Sequence, residues 1–204
     1  MTNSSFSKAA PLEGSARIEY LTIIKILWKL TAFYGFNALL YYGLLAFYFR
    51  PTIKAVLIYS SLGILLWTFL EYAIHRFFLH PPQVVIQNKY VKSFLHYCHL
   101  KHHDDSLDPH LFHIPLPVTL IVYFPVVLLV YLVFWRLDYT LLIISSTMLG
   151  YVFFEWFHLW VHMTQSRAPW ARWYRKYHFV HHYKNPNKCF GVTTPLWDLI
   201  FRTW

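Results

Sequence analysis

Residues 139–162 read YTLLIISSTMLGYVFFEWFHLWVH. Sixteen residues pass before the first ionisable carboxylate, Glu155, and the run closes on His158-x3-His162. A stretch of this length and apolarity matches the roughly 20 residues that a bilayer core of about 30 Å demands of a helix. On that helix His158 and His162 project from one face, about 40° apart. The segment therefore predicts a membrane helix whose end presents imidazoles, and the rest of the chain repeats the theme.

Three further apolar runs, 27–49, 55–75 and 116–134, have the same character, which makes 139–162 the fourth predicted span. Pro51 separates the first two and Arg136-Leu137-Asp138 the second two, so each pair is expected to form a tight antiparallel hairpin. The composition agrees: the 204 residues are 57% hydrophobic and only 13% charged, against roughly 25% charged in a soluble domain. The expected fold is all-α, an integral membrane protein with four transmembrane helices and a cytoplasmic helical cap made of residues 76–115 and 163–204. Residues 1–204 are read as a single domain.

The net charge of +9 is a topology signal. Lys and Arg crowd into residues 1–26, 76–115 and 163–204, and the opposite loops hold only Arg50, Lys54 and Arg136. By the positive-inside rule the basic side is cytoplasmic, in a bacterial inner membrane or the endoplasmic reticulum. No nucleic-acid recognition motif accompanies the charge, so nucleic acid is excluded as a partner. Cys98 and Cys189 have neither disulfide-framework nor thiolate zinc-site spacing. The N-terminus has no secretory signature.

Ten of the thirteen histidines fall into four clusters: His75-x4-His80, His99-x2-His102-His103, His158-x3-His162 and His178-x2-His181-His182. Neutral imidazole is the commonest protein metal ligand near neutral pH, and ten are too many for one ion and about right for two. His99 with His103 and His178 with His182 share a helix face as His158 and His162 do. His75 and His80 do not, since five residues of α-helix turn them about 140° apart. They are expected to serve different ions unless the helix distorts in its last turn. His96, His110 and His113 lie outside the clusters and are read as ordinary residues.

A shell of nitrogen donors without thiolate suits iron, zinc, copper or nickel. Structural zinc needs four ligands and typically uses thiolates. Two redox-active irons activating O2 at the membrane surface account for both ligand number and location. Glu71, Glu155, Asp108 and Asp198 are the candidate carboxylates behind the imidazoles, because such partners orient histidines and raise their basicity. Glu71 and Glu155 stand out because carboxylates within spans are rare and usually functional.

From Leu66 to Trp204 the chain resembles the sterol desaturase and fatty acid hydroxylase superfamily, and within it the fatty acid 2-hydroxylases. The resemblance rests on EYAIHRFFLH (71–80), on His99-x2-His102-His103 followed by Asp108 and Pro115, and on His158-x3-His162. It continues through RKYHFVHHYKN (175–185), Phe190-Gly191-Val192-Thr193 and Leu196-Trp197-Asp198. It implies a di-metal centre with the ten clustered histidines as ligands and no separate protein nucleophile. The implied reaction inserts one oxygen atom of O2 into a C2–H bond of a fatty acid or sphingolipid-linked fatty acyl chain.

Iron is the expected metal, and zinc can displace it. Residues 1–26 lack the His-Pro-Gly-Gly motif of a fused cytochrome b5 domain, so electrons are expected from an external donor such as cytochrome b5 or ferredoxin with its reductase. A desaturase or a carotenoid/sterol hydroxylase on the same scaffold remains open. A metal transporter would place histidines at the span centres, whereas these gather at one end. A zinc-stabilised membrane scaffold is the other non-enzymatic alternative.

Overall fold

The structure, a computed structural model, describes residues 14–81, 88–106, 108, 111 and 116–204, with only the backbone described for 14–20, 91, 96, 98, 116 and 117. Among the described residues there are helices and no strand. Helix α1 spans Gly14–Leu44 and ends in a wide π-turn over Leu45–Phe49. After Pro51, the Thr52 side chain caps α2, Ile53–Ala73, by accepting from the Ala55 N–H at 3.2 Å. A second π-turn, Ile74–Leu79, prolongs α2. Then come α3 (Lys89–Leu95), a third π-turn (His96–Leu100), α4 (Lys101–Asp104), α5 (Leu116–Phe134), α6 (Leu137–Met163), α7 (Pro169–Tyr183) and α8 (Leu196–Ile200).

Three helices are long and apolar enough to cross a membrane, over Leu21–Phe49, Ile53–Leu79 and Leu137–Met163, and a shorter apolar helix covers Val118–Phe134. Phe47, Ile53, Ile121, Phe124, Leu129 and Val133 are exposed on the outer faces of this bundle. Exposed apolar side chains in that number make the surface one for lipid rather than water.

Helix α6 is the axis of the bundle. Of its most apolar stretch 56% is buried, against 22% for α1 and 11% for α2. Both α1 and α2 pack chiefly on α6, so the first predicted hairpin is joined by a short turn but held together through a third helix. The reason is the small-residue face of α6. An added Cβ on Gly63 of α2 would lie 2.3 Å from the Ile143 carbonyl oxygen, and the Thr147 hydroxyl donates to the Gly63 carbonyl at 3.2 Å. Close backbone approach and hydroxyl bonds are what hold helices together where lipid removes the hydrophobic drive.

On the other side of α6, Trp156 Nε1–H donates to Thr31 Oγ1 at 2.8 Å, and Tyr34, Trp67 and Tyr151 form an aromatic core cluster. Tyr42 reaches both Ser60, at 2.9 Å, and Ser146, at 2.6 Å. These contacts fix the rotation of α6, and with it the direction in which His158 and His162 point.

Replacing Gly63 by Ala is expected to cost about 1–3 kcal/mol, since backbone must move to admit one carbon. The melting temperature of the detergent-solubilised protein should fall, while Gly43→Ala, at a position with nothing within 4 Å of the added carbon, leaves it unchanged. Equal melting of the two variants would contradict the close α2–α6 approach.

Candidate metal centre

The ten clustered histidines converge into two groups of five that could each hold a metal ion: His75, His80, His99, His103 and His181, and His102, His158, His162, His178 and His182. His110 and His113 lie outside the described residues, as do the side chains of His96 and Cys98. His75 and His80 share a group because α2 leaves α-geometry. The His80 N–H donates to the His75 carbonyl at 3.0 Å, an i→i+5 bond that stacks one over the other. Of the two arrangements open to this pair, the distorted last turn is the one present.

Each His-His doublet feeds both groups. Consecutive helix residues point about 100° apart, so His102 and His103 diverge, as do His181 and His182, and each sits between two centres. The groups touch directly where the rings of His103 and His182 stack, with centroids 4.3 Å apart and planes 14° apart.

In the first group Nε2 of His75 lies 3.0 Å from that of His99, His99 3.0 Å from His103, His103 3.1 Å from His80, and His80 3.2 Å from His181. In the second, Nε2 of His158 lies 3.3 Å from that of His102 and 3.2 Å from those of His162 and His178, and His162 and His178 are 2.8 Å apart. Within each group the donor atoms all lie within 4.8 Å of one another. Nitrogens about 2.1 Å from a common ion stand roughly 3–4 Å apart, so each group has the dimensions of a coordination shell.

Main-chain bonds fix the tautomer of two of the rings. His75 donates its Nδ1–H to the Phe190 carbonyl at 2.5 Å, and His181 donates Nδ1–H to the Lys188 carbonyl at 2.8 Å. Their Nε2 atoms are then bare lone pairs facing other imidazoles. Among the described residues, neither ring nitrogen of the buried His182 has a hydrogen-bond partner. A buried acceptor left so is costly unless a cation meets it. Burial also pushes the groups outside the spans toward neutrality: His103 is lowered to about 4, chiefly by desolvation, and His80 to about 2, by desolvation and then by its histidine neighbours. His99, His102, His178, His181 and His182 move the same way for the same causes.

The segment Lys188–Thr193 is the mould for the first group, and carboxylates hold the segment. Asp198, fully buried on α8, accepts from the N–H groups of Phe190 at 3.0 Å and Gly191 at 2.7 Å, from Tyr177 at 2.6 Å and from the Thr203 hydroxyl at 2.7 Å. Glu71, buried on α2, accepts from the N–H groups of Val192 at 2.5 Å and Thr193 at 2.8 Å, and from the Thr193 hydroxyl. Both carboxylates thus reach His75 and His181 through a loop. Gly191 has no alternative, since a Cβ there would lie 2.2 Å from the Thr194 carbonyl oxygen and 3.1 Å from Asp198 Oδ2.

Glu155, one turn before His158, is buried beside Tyr151. Asp108 sits in a turn in which its carbonyl accepts from the Leu111 N–H at 3.1 Å. Phe190 closes the first group from outside, its ring 5.4–6.0 Å from those of His75, His80 and His181. The carbonyls of Lys188 and Phe190 are the parts that sequence reading misses, because a main-chain acceptor leaves no mark in residue type.

A family profile for fatty acid hydroxylases matches residues 60–203. The chain is 33% identical over 149 residues to a dihydroceramide fatty acyl 2-hydroxylase of Arabidopsis thaliana, covering 70% of this chain and 58% of that protein. It is 33% identical over 151 residues to a fatty acid 2-hydroxylase of Mus musculus, covering 70% and 38%. The solved structure of full-length scs7p, of which only the hydroxylase domain is visible, superposes with a TM-score of 0.78 at 25% identity, covering 87% of this chain and 66% of that one. The chain spans less than two thirds of the length of these relatives.

Two outcomes follow from the geometry. Above pH 6.5 the histidines are neutral in both folded and unfolded chains. Below it the unfolded chain takes up protons that the folded one refuses, so stability falls as pH drops from 6.5 toward 4, the value to which His103 is pushed. The metal-free protein should melt progressively lower over that window, and a flat profile would contradict the burial of neutral imidazoles. Asp198→Asn turns an acceptor into a donor facing Gly191 N–H or Tyr177. Metal affinity should fall about 10–100-fold by elemental analysis after dialysis, whereas Asp138→Asn, at the far end of α6, leaves it alone.

Proposed function

Because the chain belongs to the fatty acid hydroxylase family, we propose that it is a membrane-bound, O2-dependent di-iron monooxygenase that hydroxylates C2 of a fatty acyl chain, free or carried by a ceramide-like lipid. The observation that carries this reading is the pair of five-imidazole groups at one end of an apolar helical bundle. All ten clustered histidines are its ligands. Iron bound there would supply the O2 activation that breaking an unactivated C–H bond requires, and zinc, lacking redox chemistry, would give an inert form.

The position of the site fits attack at C2. That carbon lies next to the acyl carbonyl, which prefers the polar edge of the bilayer, while the tail prefers its interior. Among the described residues, an apolar crevice lined by Trp67, Phe78, Val118 and Tyr151 runs between α2, α5 and α6, beside the turn that carries His75. In this reading the crevice, of about 20 Å³, marks where the acyl tail meets the bundle from the lipid side, and the segments 76–115 and 163–204 form a cap over the head. Phe190 and the buried aromatic rings keep water from the reacting carbon. Glu71 and Asp198 act by holding the Lys188–Thr193 loop, and thereby the rings of His75 and His181, in register.

The same reading makes α5 the fourth span, its 19 residues rising about 28 Å. It places the clusters on the cytoplasmic side, where Lys and Arg concentrate, and treats residues 1–204 as one unit. Two electrons per turnover come from a separate donor.

Lipid mass spectrometry under labelled O2 tests the function. Cells producing the chain should accumulate acyl lipids heavier by one oxygen, with fragmentation placing the label at C2, and His162→Ala or His181→Ala should abolish it. A loss of about 2 Da in place of that gain would make the enzyme a desaturase, and label elsewhere in the chain would refute the C2 assignment.

A further inference from the structure

A second concavity lies outside the bundle. It is a cleft of about 460 Å³ between α7 and the segment around Lys188, and no residue of α1, α2, α5 or α6 lines it. One wall is aromatic: the rings of Trp173 and Tyr177 are parallel within 6° at 5.3 Å, and Trp204 packs 5.0 Å from Tyr177. The rim is cationic, with Lys176, Lys184 and Lys188 all exposed, and the Lys188 ammonium donates to a main-chain oxygen of Trp204 at 2.9 Å. Residues 163–204 carry seven Lys and Arg, and their one acidic residue, Asp198, is fully buried.

One of the lining residues connects the cleft to the candidate metal centre. Lys188, which lines the cleft, is the residue whose carbonyl accepts from His181 Nδ1 at 2.8 Å. A single hydrogen bond therefore separates the cleft from an imidazole of the first group.

We infer that this cleft is the docking site of a small acidic one-electron carrier protein, which delivers electrons to the first histidine group through the Lys188 carbonyl and His181. The inference rests on the monooxygenase reading. Insertion of one oxygen atom of O2 into a C–H bond consumes two electrons and two protons, the second oxygen leaving as water, so a one-electron carrier must dock twice per turnover. Such encounters use small, charged, quickly reversible surfaces, and complementary charge raises their association rate by 10-fold to 1,000-fold. An exposed aromatic patch ringed by lysines and wired to a histidine fits that requirement. A lipid head group would satisfy the charge, but gains nothing from the link to His181.

The experiment uses the iron-loaded, oxidised protein in detergent, mixed anaerobically without substrate with the reduced soluble haem domain of cytochrome b5, an acidic carrier. Haem absorbance follows its oxidation. The second-order rate should fall steeply with added salt, and Lys176→Glu with Lys184→Glu should lower it about 10-fold or more and remove the salt dependence. Product formed in a single turnover after reduction by dithionite should match the parent, since neither side chain touches the histidines. A parental rate of haem oxidation in the double variant overturns the proposal. So does an equal loss in the dithionite arm, which would mean damage to the centre. Unchanged haem oxidation together with lost binding to phosphatidylserine vesicles would assign the cleft to lipid head groups. Failure of the parent to form product under dithionite, with haem oxidation intact, would count against the monooxygenase reading and leave the docking site standing.

Discussion

Ten imidazoles aimed at one another, in two buried groups beside a bilayer, set the terms for the rest of the structure. Neighbouring Nε2 atoms in the second group lie 2.8–3.3 Å apart, and burial disfavours the protonated, charged rings. A bound cation would complete the arrangement, and everything around it resists relaxation. The α6 axis is locked by close packing at Gly63 and by hydroxyl bonds. The loop at Lys188–Thr193 is fixed from two sides by buried carboxylates that accept backbone N–H groups. Such preorganisation is how a fold holds donors near coordination distance without letting them turn away toward water.

The two carboxylates also join parts of the chain that sequence order separates. Glu71 belongs to a membrane helix and Asp198 to a short helix more than 120 residues later, yet both grip one loop of six residues. Through that loop the end of α2 and the end of α7 see the same carbonyls, Phe190 for His75 and Lys188 for His181. Cap and bundle are therefore coupled by hydrogen bonds that pass through the first histidine group.

Much of this was legible in the residues. The apolar runs located α2, α5 and α6 to within a few residues, whereas α1 begins at Gly14, well before the expected residue 27, and the i,i+4 spacing put His158 with His162, His99 with His103 and His178 with His182, as the structure has them. The expectation of two ions came from the number of imidazoles, and the structure gathers those imidazoles into two groups. What escaped has a common cause: inference from spacing assumes an α-helix of 3.6 residues per turn and side-chain partners. The turn carrying His75 and His80 is wider, so in place of a 140° divergence the two rings lie side by side, centroids 5.2 Å apart. The partners of His75 and His181 are main-chain oxygens, which no residue type announces. Glu71 and Asp198 were expected to stand directly behind the imidazoles, and their hydrogen bonds go instead to the loop.

The π-turn explains why a pair five residues apart can occur beside pairs four apart. A span must keep every backbone group bonded within itself, because lipid offers no partner. A break at the end of α2 would expose carbonyls where the helix leaves the bilayer, and a plain α-turn would send His80 away from His75. Widening the turn by one residue keeps the chain of backbone bonds intact, with His80 N–H on the His75 carbonyl, and delivers both rings to one side. The following Pro81 cannot donate, so the helix ends where the second imidazole is in place. The same device carries His99 and precedes His103, where another wide turn, His96–Leu100, leads into the short α4. Three of the five imidazoles in the first group, His75, His80 and His99, thus sit in or directly after a wide turn. The second group draws four of its five, His158, His162, His178 and His182, from regular α-helix at i,i+4, so the same donor chemistry is delivered by two different backbone geometries.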